Sequence, residues 1–362
     1  MVYWKPAGLR LYEKLRSFVR RVHEAHGYQE VKTPMLVGLP VFERSGHLGK
    51  YRENMFLANQ ANNLDQAPDL AQYALRPMSC PNHIELYASA RRSYRELPLA
   101  FFEFGEVFRN EPSGSLQVLF RQRQFCQDDS HVFVTPEQVI EGVRNYLAMS
   151  LTAYAELGFD KVEVAISLRP AQRFGDDALW DRAEEGCREA CRQSGLAWVE
   201  EAGGGAFYGP KIELGVRDKL GRLWQMGVVQ LDYVLPERFD LSYIAEDGKG
   251  ARPVILHHAV LGSLERMVGT LLESHGVALP SSVHPYPLVL VPVSQAHLQW
   301  AQDAARALRL QGSECLVEPA NEPVPAKVRA WKVKGAQSIV VVGDKEVQAH
   351  ESPKAFAATL RR

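Results

Sequence analysis

The stretch that decides the fold runs from Phe108 to His131 and reads FRNEPSGSLQVLFRQRQFCQDDSH. Apolar and aromatic residues over 99–108 predict a strand that leads into it, and Asn-Glu-Pro-Ser-Gly at 110–114 is a dense turn signal. From Leu119 to Phe125, arginines alternate with other residues, which predicts a second strand with its arginines on one face. The stretch therefore predicts an antiparallel hairpin that presents positive charge.

The residues alone leave two interpretations of these arginines open. If the row is buried, it needs an anion, because unpaired charge in a protein interior is costly. Triphosphate is a suitable anion, since guanidinium groups bind phosphate through paired hydrogen bonds. If the row is exposed, it is a solvated, salt-bridged face of the hairpin, and its ion pairs contribute little to stability.

The chain before and after this hairpin reads as alternating helices and strands. Apolar residues at helical spacing predict a helix over 9–26 that Gly27 ends, and a strand follows over 28–32. Pro34 ends that strand or marks a sheet edge, because proline cannot donate to a ladder. Residues 59–71 are polar and aperiodic, which predicts a loop. Further helices are predicted over 136–157, 180–195 and 261–275, and the helix at 261–275 is entered through residues 254–258. Further strands are predicted over 162–168 and within 212–234.

After Pro280 the pattern changes to strands that alternate regularly with helices. Such alternation predicts a small, mainly parallel sheet covered on both faces. The sequence thus predicts an α+β fold: an antiparallel sheet with flanking helices over 1–280, a linker at 281–287, and a small α/β domain over 287–362. In this tail, strands are predicted at 288–293, 314–318 and 338–343, and helices at 295–310 and from Ala326.

The composition excludes several classes of protein. Of 362 residues, 46% are hydrophobic and 23% charged, which is typical of a globular chain, and a net charge of -1 disfavours a DNA partner. No apolar run approaches the ~20 residues of a membrane helix, and residues 1–6 lack an apolar signal core. The five cysteines are scattered and odd in number, which indicates a reducing compartment rather than a disulfide framework. We therefore expect a cytoplasmic protein without a membrane partner.

Several motifs resemble those of class II aminoacyl-tRNA synthetases. Phe-Arg-Asn-Glu at 108–111 with a downstream arginine resembles motif 2, Gly-Ser-Leu-Glu-Arg at 262–266 resembles motif 3, and Pro34 after its helix and strand resembles motif 1. An ordered set of longer strings over residues 1–280 resembles the threonyl-tRNA synthetases among them. These strings are RPMSCP at 76–81, RNEPSG at 109–114, QDDSH at 127–131, FYGPK at 207–211, WQ at 224–225 and VQLD at 229–232.

The resemblance implies one zinc ion per chain, held by Cys80, His131 and His257. Spacing alone does not group these residues, because they are far apart in sequence and each one singly is more often a core or surface residue. Three protein ligands leave a position on zinc that the amino and hydroxyl groups of threonine can take. Valine lacks the hydroxyl, so such a site rejects it by a factor of about 10⁴. Asp129 is then expected to accept the hydroxyl proton.

The resemblance also implies an ATP site with Mg²⁺ bridging the phosphates, as hard-cation chemistry favours. Arg109 is expected on the α-phosphate and the threonine carboxylate, where it stabilises charge during in-line attack. Glu111 is expected to read the adenine amino group, Arg121 and Arg266 to hold the γ-phosphate or the ring face, and Gln225 to bind the ribose or phosphates. The implied threonine-binding residues are Met78, Gln127, Asp129, Tyr208, Lys211, Gln230 and Ser263, and the implied catalytic residues are Arg109, Lys211, Arg266 and His47.

The functions of four further residues, His47, Cys187, Cys191 and His258, are open to more than one interpretation. His47 matches a family histidine near the terminal ribose of tRNA, where a titratable group suits aminoacyl transfer; a surface loop histidine is the other interpretation. Cys187 and Cys191 lie four apart on one helix face, which fits metal binding, although small core hydrophobes are commoner. His258 stands where the family commonly has arginine, and we expect it behind the ligands or at the surface.

Some regions depart from the family pattern. The amino-terminal editing domains of many members are absent from this sequence, so we expect no removal of mischarged serine in cis. Residues 342–347 match the anticodon-binding domain, but Asn-Glu-Pro-Val-Pro at 321–325 replaces a charged segment, and no final strand or helix is expected after Val347. These departures argue against anticodon reading.

Three functions are compatible with the sequence. The first is a threonine–tRNA ligase that uses ATP, threonine and tRNA(Thr) and forms a homodimer through motif 1. The second is a paralogue that makes threonyl-adenylate but uses another acceptor or relaxed tRNA recognition. The third is a catalytically inactive regulatory module. The joint match of the ATP arginines, the zinc residues and Lys211 disfavours the third, because an inactive paralogue is free to lose them.

Overall fold

The computed structural model describes residues 2–59 and 72–360. The stretch at 59–71, expected to be a loop, lies outside the described residues apart from Asn59. The helices are α1 (Pro6–Ala25), α2 (Leu39–Arg44), α3 (His47–Lys50), α4 (Cys80–Ala88), α5 (Val139–Glu156), α6 (Asp177–Gln193), α7 (Leu235–Arg238), α8 (Leu264–His275), α9 (Leu298–Leu310), α10 (Val324–Val333), α11 (Asp344–Ala349) and α12 (Pro353–Thr359). The strands are β1 (Gln29–Glu30), β2 (Leu36–Gly38), β3 (Phe56–Ala58), β4 (Tyr73–Leu75), β5 (Leu99–Phe108), β6 (Gln124–Val134), β7 (Glu163–Ser167), β8 (Val199–Glu201), β9 (Lys211–Arg217), β10 (Leu223–Asp232), β11 (Tyr243–Ile244), β12 (Gly250–Ala251), β13 (Val254–Ser263), β14 (Leu288–Pro292), β15 (Leu316–Val317) and β16 (Ser338–Val342).

The chain divides into two compact units. The first contains residues 2–3 and Leu15–Ser274, and the second contains Trp4–Lys14 together with the described residues from His275 onward. The start of α1 therefore groups with the carboxyl-terminal unit. Within the described ranges, no helix has both the length and the apolar character needed to cross a membrane.

An eight-stranded sheet forms the centre of the first unit. Its order is β1-β5-β6-β13-β10-β9-β7-β8, and its pairs are antiparallel except for the parallel pairs β1–β5 and β7–β8 at the two edges. Strand β13 is buried along nearly its whole length. A strand buried on both faces lies in a sheet covered on both sides. The hydroxyl group of Tyr146 in α5 donates a 3.0 Å hydrogen bond to the Ala259 carbonyl of β13, which places this helix on one face. The predicted antiparallel sheet with flanking helices is confirmed.

The second unit contains the parallel sheet β15-β14-β16. Alternate residues of β14 face opposite sides: Leu290 packs with residues of α9 and α12, whereas Val289 and Val291 pack with Trp331 of α10. The predicted small sheet covered on both faces is confirmed. The expectation of no helix after Val347 is wrong, because Ser352 accepts a hydrogen bond from the Ala355 amide and caps α12.

The helix predicted over 261–275 begins three residues later. Gly262 has a backbone φ of +73°, which a right-handed helix does not accept, so residues up to Ser263 continue strand β13 and α8 begins at Leu264. The strand predicted over 28–32 is also shorter, since only Gln29 and Glu30 pair with β5. Other predicted helices and strands lie within a few residues of their expected places.

The hairpin at 108–131 is confirmed as an antiparallel pair, but its arginine row is not. Strand β6 begins at Gln124 rather than Leu119, because Gln117 and Arg121 exchange backbone hydrogen bonds of 3.0 and 3.2 Å in a tight turn. Arg121 and Arg123 therefore lie in the loop before β6. Both are exposed, with 51% of the Arg121 side chain accessible. The prediction of a strand over 119–125 with one face of arginines, and the reading of that row as buried, are both wrong.

Candidate active site

The structure brings together the three residues expected to bind zinc. Cys80 is the first residue of α4, and His131 and His257 lie directly opposite each other on the paired strands β6 and β13. One donor atom from each residue lies within 4.8 Å of the others, and all three side chains are buried. Cross-strand pairing thus joins two histidines that are far apart in sequence.

Each histidine of this cluster uses only one ring nitrogen within the described part of the chain. Nδ1 of His131 lies 2.8 Å from Nδ1 of His83, and Nε2 of His257 lies 2.8 Å from a carboxylate oxygen of Asp232. The other nitrogens, Nε2 of His131 and Nδ1 of His257, are buried without a hydrogen-bond partner there. Buried polar atoms are rarely unpaired, and one thiol with two imidazoles is a donor set that suits zinc. The residues fit the implied metal.

A buried polar network lies behind His131, and no motif in the sequence marked His83 or Glu103 as its members. His83 lies within 3.4 Å of the Glu103 carboxylate, which forms a 2.6 Å ion pair with Arg76. Burial raises the pKa of Glu103, but hydrogen bonding and charge from His83 and the charge of Arg76 outweigh it and hold the pKa at about 2. Burial and the neighbouring histidines lower the pKa of His131 well below its ordinary value, so its ring is neutral. A neutral imidazole is the form that binds metal.

A cavity of about 270 Å³ opens beside the cluster and includes Cys80 and His257 in its lining. Six of the seven residues expected to bind threonine line this cavity. The seventh, Ser263, lines the neighbouring cavity instead, and its hydroxyl group donates to Glu265 at 2.9 Å. The six are Met78, Gln127, Asp129, Tyr208, Lys211 and Gln230.

The polar groups of this cavity are held by short contacts. The Lys211 ammonium lies 2.6 Å from Glu213, and the Tyr208 hydroxyl group donates to the Gln230 side chain. Asp129 accepts a 3.3 Å hydrogen bond from the Ser79 amide, and burial raises the pKa of Asp129. The cavity therefore offers the Lys211 ammonium, the Asp129 carboxylate and the side chains of Tyr208 and Gln230 beside the cluster.

A second cavity of about 180 Å³, the arginine cavity, is lined by arginines and aromatic rings. Arg109 lines both this cavity and the first one, which we call the threonine cavity. Glu111 pairs with Arg121 at 2.8 Å. Arg266 donates to the Phe120 carbonyl at 3.1 Å; burial, followed by the charges of Arg109 and Arg121, lowers its pKa. Three cations that destabilise one another form a site that an anion would stabilise.

Two expected residues line neither cavity. Gln225 is exposed, and its amide donates to Glu213 at 2.5 Å. His47 is fully buried in α3, with Nδ1 2.8 Å from the Ser45 hydroxyl group and its ring against Phe207. The surface-loop interpretation of His47 is therefore wrong. Burial, followed by the charges of His257 and Arg109, lowers its pKa to about 3.

The three minor candidates are all buried. Cys187 and Cys191 lie on the buried face of α6, as expected of small hydrophobic residues. The surface role considered for His258 is wrong: its Nε2 lies 2.8 Å from the Tyr28 hydroxyl group, and its ring contacts Tyr146. His258 points away from His257, because neighbours on a strand face opposite sides. It therefore lies behind His131 and His257.

Asp128 holds the backbone of β13 just before Ser263, which lines the second cavity, and no motif in the sequence marked it. One carboxylate oxygen accepts 2.9 Å hydrogen bonds from the amides of Val260 and Leu261. The pairing of β13 with β6 shifts register here, between Ala259 and Ser263. Burial raises the pKa of Asp128 to about 7, although the backbone amides oppose this shift. The available sequence signal was a pair of adjacent acidic residues, Asp128 and Asp129, shortly before the apolar run at 132–134.

Comparison with known proteins identifies both units. Residues 65–275 match the family model of the tRNA synthetase class II core domain (G, H, P, S and T), and residues 288–354 match that of the anticodon binding domain. A threonine–tRNA ligase from Burkholderia multivorans is 43% identical over 349 residues. That alignment covers 96% of this chain and 54% of the ligase, so the chain spans about half the length of such curated relatives.

Solved structures agree with the family models. The crystal structure of the RNA binding domain of threonyl-tRNA synthetase from Cryptosporidium parvum superposes with a TM-score of 0.89 at 35% identity, covering 96% of this chain and 85% of that one. A Giardia lamblia prolyl-tRNA synthetase shares the fold, with a TM-score of 0.71 at 16% identity. That match covers 96% of this chain and 66% of the other one. The core-domain match and the likeness at 35% identity show that the chain belongs to the threonyl-tRNA synthetase family of the class II aminoacyl-tRNA synthetases.

Proposed function

We propose that this protein activates threonine with ATP to form threonyl-adenylate and pyrophosphate, and then transfers the threonyl group to tRNA(Thr). One observation carries the proposal. The donor atoms of Cys80, His131 and His257 converge within 4.8 Å beside a cavity that shares Arg109 with an arginine-lined second cavity. An amino-acid site and a nucleotide site with one arginine between them suit the joining of a carboxylate to an α-phosphate.

Cys80, His131 and His257 would hold zinc. When bound, zinc supplies a Lewis acid with an open position for the amino and hydroxyl groups of threonine. Asp129, whose half-buried side chain lines the same cavity, would accept a hydrogen bond from the hydroxyl group. An amino acid without a hydroxyl group leaves these polar groups unpaired, which is why valine would be rejected.

The arginine cavity would bind ATP with Mg²⁺ on its phosphates. In activation, a threonine carboxylate oxygen attacks the α-phosphorus, the bond to the bridging oxygen breaks, and pyrophosphate leaves. Arg109 would stabilise the charge on the α-phosphate, with Lys211 on the threonine side. Arg266 and Arg121 would hold the terminal phosphate or stack on the base. Glu111 would read the adenine amino group after exchanging part of its contact with Arg121.

Transfer to tRNA is supported by the match of residues 288–354 to the anticodon binding domain. We propose that His47 acts at the terminal ribose, where its low pKa leaves the ring neutral and able to accept a hydrogen bond. Gln225 would reach the ribose or phosphates with the part of its amide that is not bonded to Glu213. A cytoplasmic homodimer that pairs through the region around Pro34 completes the proposal. Sedimentation of a monomer at working concentration would contradict the dimer.

Threonine-dependent exchange of pyrophosphate into ATP tests activation. We expect exchange with threonine, weaker exchange with serine and none above background with valine. Aminoacylation of tRNA(Thr) and of the same tRNA with a swapped anticodon then tests the acceptor. Charging of tRNA(Thr) alone supports the full proposal. Exchange without charging would reject the tRNA step, and the absence of exchange with zinc-loaded protein would reject activation.

A further inference from the structure

We propose that Glu213 is a positioning residue that holds Lys211 and Gln225 in place through one shared carboxylate. This inference rests on the proposed activation of threonine, because it gives Lys211 a role at the reacting groups. Neither the motifs nor the family comparison singled out Glu213. It lies two residues after Lys211 on β9, outside the strings that carried the resemblance.

Side chains from three neighbouring strands converge on this carboxylate. One oxygen of Glu213 lies 2.6 Å from the Lys211 ammonium and 2.5 Å from the Gln225 amide nitrogen. The other oxygen accepts a 2.7 Å hydrogen bond from the Ser167 hydroxyl group on β7. Lys211 and Glu213 share a sheet face because alternate residues of a strand point the same way. Both carboxylate oxygens are thus occupied.

The local pairing explains why Gln225 reaches Glu213. The register of β10 against β9 shifts between Gln225 and Val228, and Val228 is the residue directly opposite Glu213. The bulge at this shift turns the side chain of Gln225, three residues before Val228, toward the carboxylate. The contact therefore depends on a built irregularity of the sheet.

The charges around Lys211 make a counter-ion necessary. Its ammonium lines the threonine cavity together with Arg109, which repels it, and Asp129, which attracts it. Only 20% of the Lys211 side chain and 13% of the Glu213 side chain are exposed, so solvent screens their ion pair less than it screens a surface pair. Glu213 is the carboxylate in direct contact with the ammonium.

This arrangement links the two halves of the proposed site. A lysine side chain has four rotatable bonds, and ordering it is entropically costly. One oxygen of Glu213 fixes the Lys211 ammonium at the threonine cavity. The same oxygen fixes the amide of Gln225, a residue that is expected to contact the nucleotide. Loss of the carboxylate would leave Lys211 present but misplaced, and small misplacements at a reacting centre lower the rate by up to about a hundredfold.

The first test measures Lys211 directly and needs no activity. Purified protein is treated with limiting acetic anhydride, and acetylation of Lys211 is quantified by peptide mass spectrometry relative to exposed Lys249. In Glu213→Gln, the rate at Lys211 should rise about fivefold, the factor that a partly exposed ion pair contributes at its upper range. The matched control is Glu163→Gln on β7, which removes the exposed Glu163–Arg217 pair and should leave the Lys211 rate unchanged.

The second test measures the chemistry. Glu213→Gln should lower kcat for threonine-dependent pyrophosphate exchange by about tenfold to a hundredfold, with little change in KM for ATP. In a Lys211→Met background the same substitution should cost less than about threefold, since residues that act as a unit are not additive. Glu163→Gln should retain wild-type kcat.

The two tests separate the possible failures. Equal acetylation of Lys211 in wild type and Glu213→Gln would overturn the positioning role, as would full and additive losses in the Lys211→Met background. A wild-type protein without threonine-dependent exchange would reject the proposed function, whereas a raised Lys211 acetylation rate in the same variant would still establish the contact.

Discussion

The carboxylate of Asp128 allows a quantitative prediction about pH and stability. It is fully buried, and one of its oxygens accepts hydrogen bonds from the amides of Val260 and Leu261. The other oxygen has no hydrogen-bond partner within the described ranges. Asp128→Asn keeps an oxygen that can accept both amide hydrogen bonds and replaces the unpaired oxygen with a neutral amide group. The substitution therefore removes the charge while preserving most of the geometry.

The sign and size follow from the shift in pKa. Burial raises the pKa of Asp128 from 3.8 to about 7 in the folded protein. Between these values the folded protein binds more protons than the unfolded chain, so the stability of the wild type falls as pH rises through this window and levels off above pH 7. At 1.36 kcal/mol per pKa unit the full penalty is about 4 kcal/mol, of which about 3 kcal/mol develops between pH 5 and pH 8. Asp128→Asn should escape this penalty.

Thermal unfolding at the two pH values measures the effect. A change of about 3 kcal/mol corresponds to about 6 °C or more in Tm for a unit of this size. The Tm of Asp128→Asn minus that of the wild type should rise by this amount from pH 5 to pH 8. Comparing the two proteins cancels other groups that titrate in the same window, such as Glu265, whose pKa burial also raises to about 7. A Tm difference that is the same at pH 5 and pH 8 would refute the reasoning.

Three further substitutions test the metal cluster, the arginine cavity and the packing behind them. Cys80→Ser should lower the bound zinc measured by elemental analysis and abolish threonine-dependent pyrophosphate exchange. The control Cys315→Ser, in the second unit, should do neither. Full exchange by metal-free Cys80→Ser would contradict the zinc assignment. Arg109→Ala should lower single-turnover adenylate formation by about a thousandfold, because a donor at developing charge is lost; an unchanged rate would reject its role. Gly227→Ala places a Cβ 2.6 Å and 2.7 Å from the hydroxyl groups of Tyr154 and Tyr146 and 2.8 Å from a backbone oxygen. It should lower Tm by about 2 to 6 °C through overpacking, whereas Gly250→Ala, which meets nothing within 4 Å, should not.

Periodicity predicted the fold because hydrophobic spacing reports directly on buried faces. The helix at α1, the antiparallel pair β5–β6 and the parallel sheet of the second unit all follow from apolar residues at the period of their element. The misplaced features depended on single backbone conformations instead. Gly262 delays α8, and the turn at Gln117 removes the arginines from β6. Alternation of residue types could not distinguish that turn from a strand.

The sequence could name many site residues by resemblance but could not explain how they meet. Cys80, His131 and His257 carry no local spacing signal, since their proximity arises from strand pairing and from the start of α4. The same reason hid His83, whose partner His131 lies on β6, and the contact of Glu213 with Gln225 on β10. Contacts across strands require the register, and register is a property of the folded sheet.

That register connects the core to the chemistry. His257 and His258 are adjacent on β13 and face opposite sides, so a slip of one residue against β6 would exchange them. The exchange would place His258 opposite His131 and would remove the partner of the hydroxyl group of Tyr28, a half-buried residue. Because β13 is apolar and buried along nearly its whole length, the slip would also disrupt its packing on both faces. The burial that stabilises the sheet therefore also selects which of two neighbouring histidines faces Cys80. Substitutions in the core of β13 should lower the zinc content found by elemental analysis, even where they do not touch Cys80, His131 or His257.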